Sequence, residues 1–460
     1  MTRIDERVST HVYKVKRISK KEMESIAGVC VYDQPPFCNA ACPLKLDVKA
    51  MLKAAAENDF KKAFKIYESI APFPLILSAG CGAPCEEKCR LCELGDGIAI
   101  GDIERAVALS GGAGEKRSIF RVRKKKKAAV FGSGLFALLL SGGLGKKGYP
   151  VTVICGEANE EEYLRVAAGF LREDDFYTEL KRLRGKDIAF EFNAEMTREL
   201  FEEKRGGFDV LCASEKAAID IFPGAVRDEG IMLMESEGLL TGGGETVLEA
   251  ALGARKAALT ADRLAQGIDP RSARGEEGPV TSRLYTNPDL ARGLIRIKGC
   301  ESGYTREQAA EEAGRCMQCH CDECLRGCAY LRRFNKHPGL LSREIYNNTQ
   351  IIMGDHPLNR AMNACALCGQ CTVTCPHGFD MAHVCRTARE NMVDTDKMPL
   401  TAHEFALLDM LFSNGEAYLC RKQPGHSHCR YVFFPGCQAA AIAPEAVIAA
   451  YEDLCNRLKG

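Results

Sequence analysis

The sequence predicts a multidomain fold in which helical domains flank a shortened Rossmann-type α/β domain. Three observations support this prediction. At about 150 residues per domain, 460 residues correspond to roughly three domains. The 24 cysteines lie mostly in three tight clusters separated by cysteine-poor chain. Between the first two clusters, a strand, a glycine turn, a helix and a second strand follow one another over residues 128–155.

Composition and charge exclude several classes of protein. Lys plus Arg (62) balance Asp plus Glu (62), so no nucleic-acid partner is indicated. The charged N-terminus lacks the apolar core of a signal peptide, and the longest apolar stretch, residues 135–144, is too short for a transmembrane segment. We therefore expect a cytoplasmic protein, in a reducing compartment where clustered cysteines are metal ligands rather than disulfides.

The tightest cysteine cluster has the spacing of an iron–sulfur motif. Its C-x2-C-x2-C-x3-C-P run is formed by Cys365, Cys368, Cys371 and Cys375. This spacing gives three thiolates to one [4Fe–4S] cube and the fourth to a neighbouring cube. A zinc site would instead pair two C-x2-C units across a longer gap, so we favour iron–sulfur clusters, which carry single electrons.

An upstream cysteine run, residues 316–328, supplies the remaining ligands of this pair of cubes. Thr305 and Gln308 form a capping box that predicts a helix leading to Cys316. By the two-cluster rule, one cube takes Cys328, Cys365, Cys368 and Cys371. The other takes Cys321, Cys324, Cys375 and either Cys319 or Cys316, of which we favour Cys319. Residues 301–400 resemble the two-cluster ferredoxin module of heterodisulfide reductase-type and lactate-utilisation proteins.

The first cluster contains seven thiols around a helical stretch. They are Cys30, Cys38, Cys42, Cys81, Cys85, Cys89 and Cys92. Between them, Val48, Met51, Leu52 and Ala55 recur at helical spacing, which predicts that a helix pair brings the two ends together.

This segment, with its CNAACPLKLDV, APCEEKC and IAIGDIE runs, resembles the two-cluster domain of dihydropyrimidine dehydrogenase and of the glutamate synthase small subunit. The resemblance implies one cube on Cys42, Cys81, Cys85 and Glu104. It implies a second cube on Cys30, Cys38 and Cys89, with Asp33 where the family has its fourth cysteine. Either Asp33 or Cys92 completes this cube, and we favour Cys92 because soft thiolates suit iron–sulfur sites.

The middle of the chain carries a weak dinucleotide-binding pattern. Gly132 and Gly134 fit G-x-G-x-x-G/A at a helix start. Together with the LLTGGGETVLEAALGARKAALTADRLAQG run, the segment resembles the flavin domain of the glutamate synthase small subunit. Cys155 and Gly244 stand where that family has acidic residues, and only about 110 residues separate the glycine motifs. We expect a spacer that does not bind FAD; the alternative is an FAD site with substitute contacts such as Glu157.

The last segment predicts a strand at residues 431–434, a loop ending in Cys437 and an amphipathic helix. It resembles the start of the cysteine-rich domain of heterodisulfide-reductase-B-like proteins, without the paired cysteines of that family. Cys420, Cys429 and Cys437 are additional, weaker candidate ligands.

The sequence thus predicts five regions. They are a helical iron–sulfur domain (1–120), a degenerate Rossmann-type domain (121–268), a linker (269–300), a two-cluster ferredoxin domain (301–400) and a partial cysteine-rich domain (401–460). We expect about four [4Fe–4S] clusters that conduct electrons between other subunits of an anaerobic redox complex, with a ferredoxin, a flavin subunit or an NAD(P)-binding subunit as partner. The alternative is an FAD-dependent NAD(P)H oxidoreductase.

Overall fold

The computed structural model describes residues 19–110, 123–272, 274–299, 303–395, 397, 405, 408, 411, 421–436 and 439–458. The candidate ligands Cys420 and Cys437 lie outside these residues. The chain divides into two compact units, one formed by residues 31–322 and the other by residues 1–30 with 323–460. The predicted combination of helical parts and an α/β part is confirmed.

Helices outnumber strands in the described part of the chain. In chain order, the helices are α1 (Lys20–Ala27), α2 (Phe37–Ala41), α3 (Val48–Ala56), α4 (Phe60–Glu68), α5 (Pro74–Gly80), α6 (Pro84–Glu87), α7 (Ile100–Ser110), α8 (Leu135–Lys146), α9 (Glu160–Ala168), α10 (Glu173–Arg184), α11 (Arg198–Arg205), α12 (Glu215–Ile221), α13 (Val247–Ala265), α14 (Arg306–Gly314), α15 (Glu323–Gly327), α16 (Ala329–Phe334), α17 (Pro338–Gln350), α18 (Asn359–Ala364), α19 (Gln370–Thr374), α20 (Met381–Asp394), α21 (Ala439–Ile442) and α22 (Pro444–Arg457). Short 3-10 turns cover Arg90–Glu93 and Pro288–Leu290. The strands are β1 (Ala128–Phe131), β2 (Val151–Ile154), β3 (Ile188–Glu191), β4 (Val210–Ser214), β5 (Leu233–Met234) and β6 (Leu239–Gly242).

The helical part of residues 31–322 is built on α3. Asp47 caps this helix by accepting a hydrogen bond from the Ala50 amide (3.1 Å), which satisfies one of the free N–H groups of its first turn. The four apolar positions predicted for its inner face are all buried: Val48, Met51, Leu52 and Ala55. The helix packs against α4 and α14, and α14 begins at the predicted capping box. Helices α3, α4 and α14 therefore form one packed group.

The sheet of the same unit has the strand order β3-β2-β1-β4-β6-β5, parallel except for β5 against β6. Every residue of β1 and β4 is buried, as expected for parallel strands covered by helices on both faces. Gly132 (φ 85°) and Gly134 (φ 100°) turn the chain from β1 into α8 in a conformation that favours glycine. Helices α8 and α13 pack against each other.

The other unit has its own apolar core between α16 and α20. Its buried side chains include Leu331, Leu341, Ile345, Met362 and Phe379. Helix α1 packs against α17 within this unit, so the N-terminal segment contributes to the same fold as residues 323–395.

The predicted strand at residues 431–434 is wrong. These residues have no strand or helix conformation, and Val432 and Phe434 are each 80% exposed. A strand needs a neighbour that pairs its N–H and C=O groups, and no strand lies within the described part of residues 421–458. The predicted helix is present as α21 and α22.

Candidate iron–sulfur sites

Four predicted ligands of the ferredoxin domain surround one cavity of about 410 Å³. They are Cys328, Cys365, Cys368 and Cys371. Cys328 follows α15, and the other three lie around the start of α19. The chain turns there through Leu367 (φ 56°) and Gly369 (φ 73°), both in the left-handed region. Four soft thiols around a cavity of this size fit a four-iron cube in chemistry and in space.

The sequence analysis missed several side chains that line this cavity or lie beside it. Tyr330 lines the cavity, and its hydroxyl lies 3.7 Å from the buried thiol of Cys385. The hydrogen bond with Cys385 lowers the pKa of Cys365, although burial opposes this effect. Arg389 donates hydrogen bonds to the carbonyls of Met362 (2.8 Å) and Cys365. Cys385 belongs to no spacing motif, so only the packing of α20 shows its position.

The predicted second cube of this domain is divided between the two compact units. Cys319 and Cys321 belong to residues 31–322, where both pack near Val31 and Leu284. Cys324 and Cys375 belong to the other unit and pack into its apolar core. This ligand set stays a prediction.

The structure brings Cys42, Cys81, Cys85 and Glu104 into one neighbourhood, since the charge of Glu104 raises the pKa of all three thiols. Burial is the largest cause of the raised pKa in all three thiols. The pKa of Cys81 reaches about 12. Glu104 on α7 is 3% exposed. Three thiols and a carboxylate fit a cube with one side-chain oxygen ligand.

Burial also raises the pKa of Glu104 itself, to about 8, although the Tyr67 hydroxyl lowers it. Tyr67 on α4 is fully buried and is a neighbour of this site that the sequence analysis missed. Its only sequence signal is its place on the apolar face of a helix.

The ligand set predicted for the other N-terminal cube stays a prediction. Cys38 and Cys89 are neighbours, whereas Cys30 belongs to the other unit, where it packs close to Gly339. The thiol of Cys92 lies 3.4 Å from the Glu86 carbonyl and is exposed. Asp33 is exposed as well.

The glycine turn of the sheet keeps open space at one of its two glycines. No atom lies within 4 Å of a Cβ built on Gly134, whereas a Cβ on Gly132 would be 2.4 Å from the Ser214 hydroxyl. Cys155 follows β2 and is fully buried. Burial, followed by the charge of Glu157, raises its pKa to about 12. A neutral thiol therefore occupies the position at which a dinucleotide-binding domain holds the ribose with a carboxylate.

A pocket of about 440 Å³ follows β6 at Gly243 and Gly244. Its charged lining residues are Glu215, Glu229, Glu245, Glu249, Arg227 and Lys256. Carboxylates outnumber cations here, and Arg227 is paired with Glu215 (3.2 Å) and Glu229 (2.6 Å). Such a lining disfavours the phosphates of a flavin dinucleotide.

Across the described ranges, no three His, Cys, Asp or Glu side chains are close enough together to hold a single metal ion. No helix of the described chain is both long and apolar enough to span a bilayer.

Two family matches agree with these sites. Residues 7–112 match the family described as dihydropyrimidine dehydrogenase domain II, 4Fe-4S cluster. Residues 315–380 match the 4Fe-4S dicluster domain. The chain is an iron–sulfur protein. The predicted likeness of its N-terminal region to dihydropyrimidine dehydrogenase, and of its later region to a two-cluster ferredoxin module, is confirmed.

Two curated relatives match part of this iron–sulfur protein. It is 27% identical over 230 residues to the beta subunit of the NADPH-Fe(3+) oxidoreductase of Geobacter sulfurreducens, a match that covers 47% of this chain and 33% of the relative. It is 27% identical over 159 residues to the beta subunit of the NADP(+)-dependent formate dehydrogenase of Moorella thermoacetica, covering 29% and 21%. The matched region thus spans a third or less of these relatives. The polypeptide is an iron–sulfur electron-transfer protein that is related to these beta subunits.

Proposed function

We propose that this protein is a subunit of a larger redox complex and that it passes single electrons through about four [4Fe–4S] clusters. The electrons would move between a catalytic subunit and a ferredoxin, flavin or NAD(P) partner. Both relatives have NADPH or NADP(+) in their names, which supports a nicotinamide-linked partner.

One observation carries this proposal. Cys328, Cys365, Cys368 and Cys371, chosen by spacing alone, line the same cavity. Cys371 is buried and Cys368 is exposed, so the protein encloses one side of the site and leaves another side near solvent. An exposed edge of this kind is suited to electron exchange with a partner.

A second function, FAD-dependent oxidation of NAD(P)H, is supported by the open space at Gly134 beside the start of α8. The buried thiol of Cys155 and the acidic pocket after β6 count against it. We therefore propose that the sheet is a spacer between cluster-bearing regions.

Iron analysis and a redox titration of the anaerobically purified protein test the proposal. We expect about sixteen iron atoms per chain and about four one-electron centres in the paramagnetic resonance spectra. A value near eight iron atoms would contradict the four-cluster proposal. The variant C212A removes a thiol that is buried in β4 and is not a proposed ligand, so it should contain as much iron as the wild-type protein.

A further inference from the structure

Four thiols from three distant segments meet within residues 31–322. Cys38 lies on α2, Cys89 precedes a 3-10 turn, and Cys316 and Cys319 follow α14. All four pack against the same apolar core. Phe37, the residue before Cys38, and Cys319 pack against the same buried side chains, Val31 and Leu284. The guanidinium of Arg90, the residue after Cys89, lies 4.9 Å from the centre of the Phe37 ring.

The C-terminal end of α14, which precedes Cys316, is held in place by buried polar contacts. The buried carboxylate of Glu312 accepts hydrogen bonds from the amides of Ala99 (3.1 Å) and Ile297 (2.9 Å). Arg315 pairs with Glu312 (2.6 Å) and donates to the Asp96 carbonyl (2.6 Å). A buried ion pair whose oxygens also accept backbone hydrogen bonds holds a helix end in one place. Cys316 is the next residue.

The loop after α14 is attached to α3. The Gln318 side chain donates to the Lys49 carbonyl (3.3 Å) and lies 3.4 Å from the Cys316 sulfur. The Lys49 ammonium group donates to the Cys319 carbonyl (3.0 Å). These contacts fix both thiols of the C-x2-C pair relative to the helices of the N-terminal region.

Two alternatives that the sequence offered for this site are less suitable. The Cys92 thiol is exposed and lies next to the Glu86 carbonyl, and Asp33 is exposed.

We propose that Cys38, Cys89, Cys316 and Cys319 hold one four-iron cluster. This inference rests on the proposed function, since it assigns ligands to one of the clusters. Four soft thiolates are the ligand set that such a cube takes. The C-x2-C pair of residues 316–319 then serves the N-terminal region, although the dicluster match begins at residue 315. The cube predicted on Cys321, Cys324 and Cys375 keeps these three thiols, and its fourth ligand is then neither Cys316 nor Cys319. A cluster that joins α2 to the loop after α14 ties together segments more than 270 residues apart in sequence.

Iron loss in single and double variants tests this assignment. We expect C38S and C319S each to lose about four iron atoms and the same paramagnetic signal, and the double variant C38S/C319S to lose about four as well. The matched control C38S/C371S should lose about eight. If C38S/C319S loses about eight, or if C319S removes the same signal as C375S, the assignment is wrong. Wild-type protein without iron–sulfur signals would instead refute the proposed function.

A charge substitution gives a test that leaves all thiols in place. K49M removes the cation beside Cys319, so it should lower the midpoint potential of the centre that C38S removes. K53M is the control, because Lys53 lies one turn later on α3 and is exposed. An unchanged potential for that centre in K49M, or a shift of the centre that C375S removes, contradicts the assignment.

Discussion

The six-stranded sheet and the cavity of the ferredoxin domain use their interior space differently. In the sheet, β1 and β4 are fully buried, and the pocket after β6 is lined by charges that pair with one another. In the ferredoxin domain, four thiols and the side chains of Tyr330, Phe334 and Met381 surround a cavity of about 410 Å³ without an acidic residue. Beside the sheet, Arg227 pairs with Glu215 and Glu229, whereas the cavity presents soft ligands. This difference supports the proposal that the cofactors belong to the helical regions.

Cofactor content is the strongest test of this comparison. We expect about sixteen iron atoms per chain and no stoichiometric FAD in the same anaerobic sample. The flavin would lack polar partners at Cys155 and Gly244, and each unpaired buried polar group costs roughly 1–3 kcal/mol. Denaturation followed by flavin fluorescence provides the measurement. One equivalent of released FAD would overturn the spacer proposal and support the flavoenzyme.

The second largest difference between the ferredoxin domain and the sheet should appear in the iron content after removal of one thiol from each. C371A takes a buried ligand from the cavity and should lose about four iron atoms with one paramagnetic signal. C212A removes an equally buried thiol from β4 and should keep all of its iron. Unchanged iron in C371A would show that the cavity holds no cluster.

Glu104 allows a smaller test in the helical part of residues 31–322. E104A should remove or convert one paramagnetic signal, because it deletes the proposed oxygen ligand. E104Q keeps an oxygen but loses a negative charge, so the potential of that cluster should rise by on the order of 50 mV, about 1 kcal/mol for one electron. E203Q, at an exposed position of α11, is the control. An unchanged spectrum in E104A would remove Glu104 from the proposed ligands.

The smallest expected effect concerns the stability of the sheet region. Although burial opposes ionisation of Asp262, hydrogen bonds from Lys124 and Tyr149 lower its pKa to about 2. D262N should therefore destabilise this region by about 1 kcal/mol after allowance for solvent screening, without loss of iron. D187N, which breaks the exposed pair with Arg123, should have almost no effect. Urea unfolding monitored by circular dichroism measures both.

The lowered pKa of Asp262 also determines how the stability of the sheet region depends on pH. The stabilisation by Asp262 is fully present above the ordinary aspartate pKa of 3.8 and is lost as the pH falls through about 2. The stability difference between wild type and D262N should therefore shrink over this interval. A constant difference down to pH 2 would contradict this assignment.

Local patterns in the sequence predicted much of the fold and part of the sites. The apolar period of α3, the capping box of α14 and the glycine turn after β1 depend on residues a few positions apart. The spacing of residues 365–371 likewise identified thiols that line one cavity with Cys328. The strand at residues 431–434 failed because a strand depends on a partner elsewhere in the chain.

The sequence by itself determined the iron–sulfur chemistry of this protein through clustered thiols at the required spacing, and it placed Cys155 and Gly244 where the resemblance to a flavin domain implies acidic residues. Only the tertiary structure decided which distant thiols meet. Cys316 and Cys319 pack against the same core as Cys38, and the buried pair of Glu312 and Arg315 holds the end of α14 at that core. Spacing rules describe ligands that share a loop, whereas contacts between distant segments depend on how their helices pack.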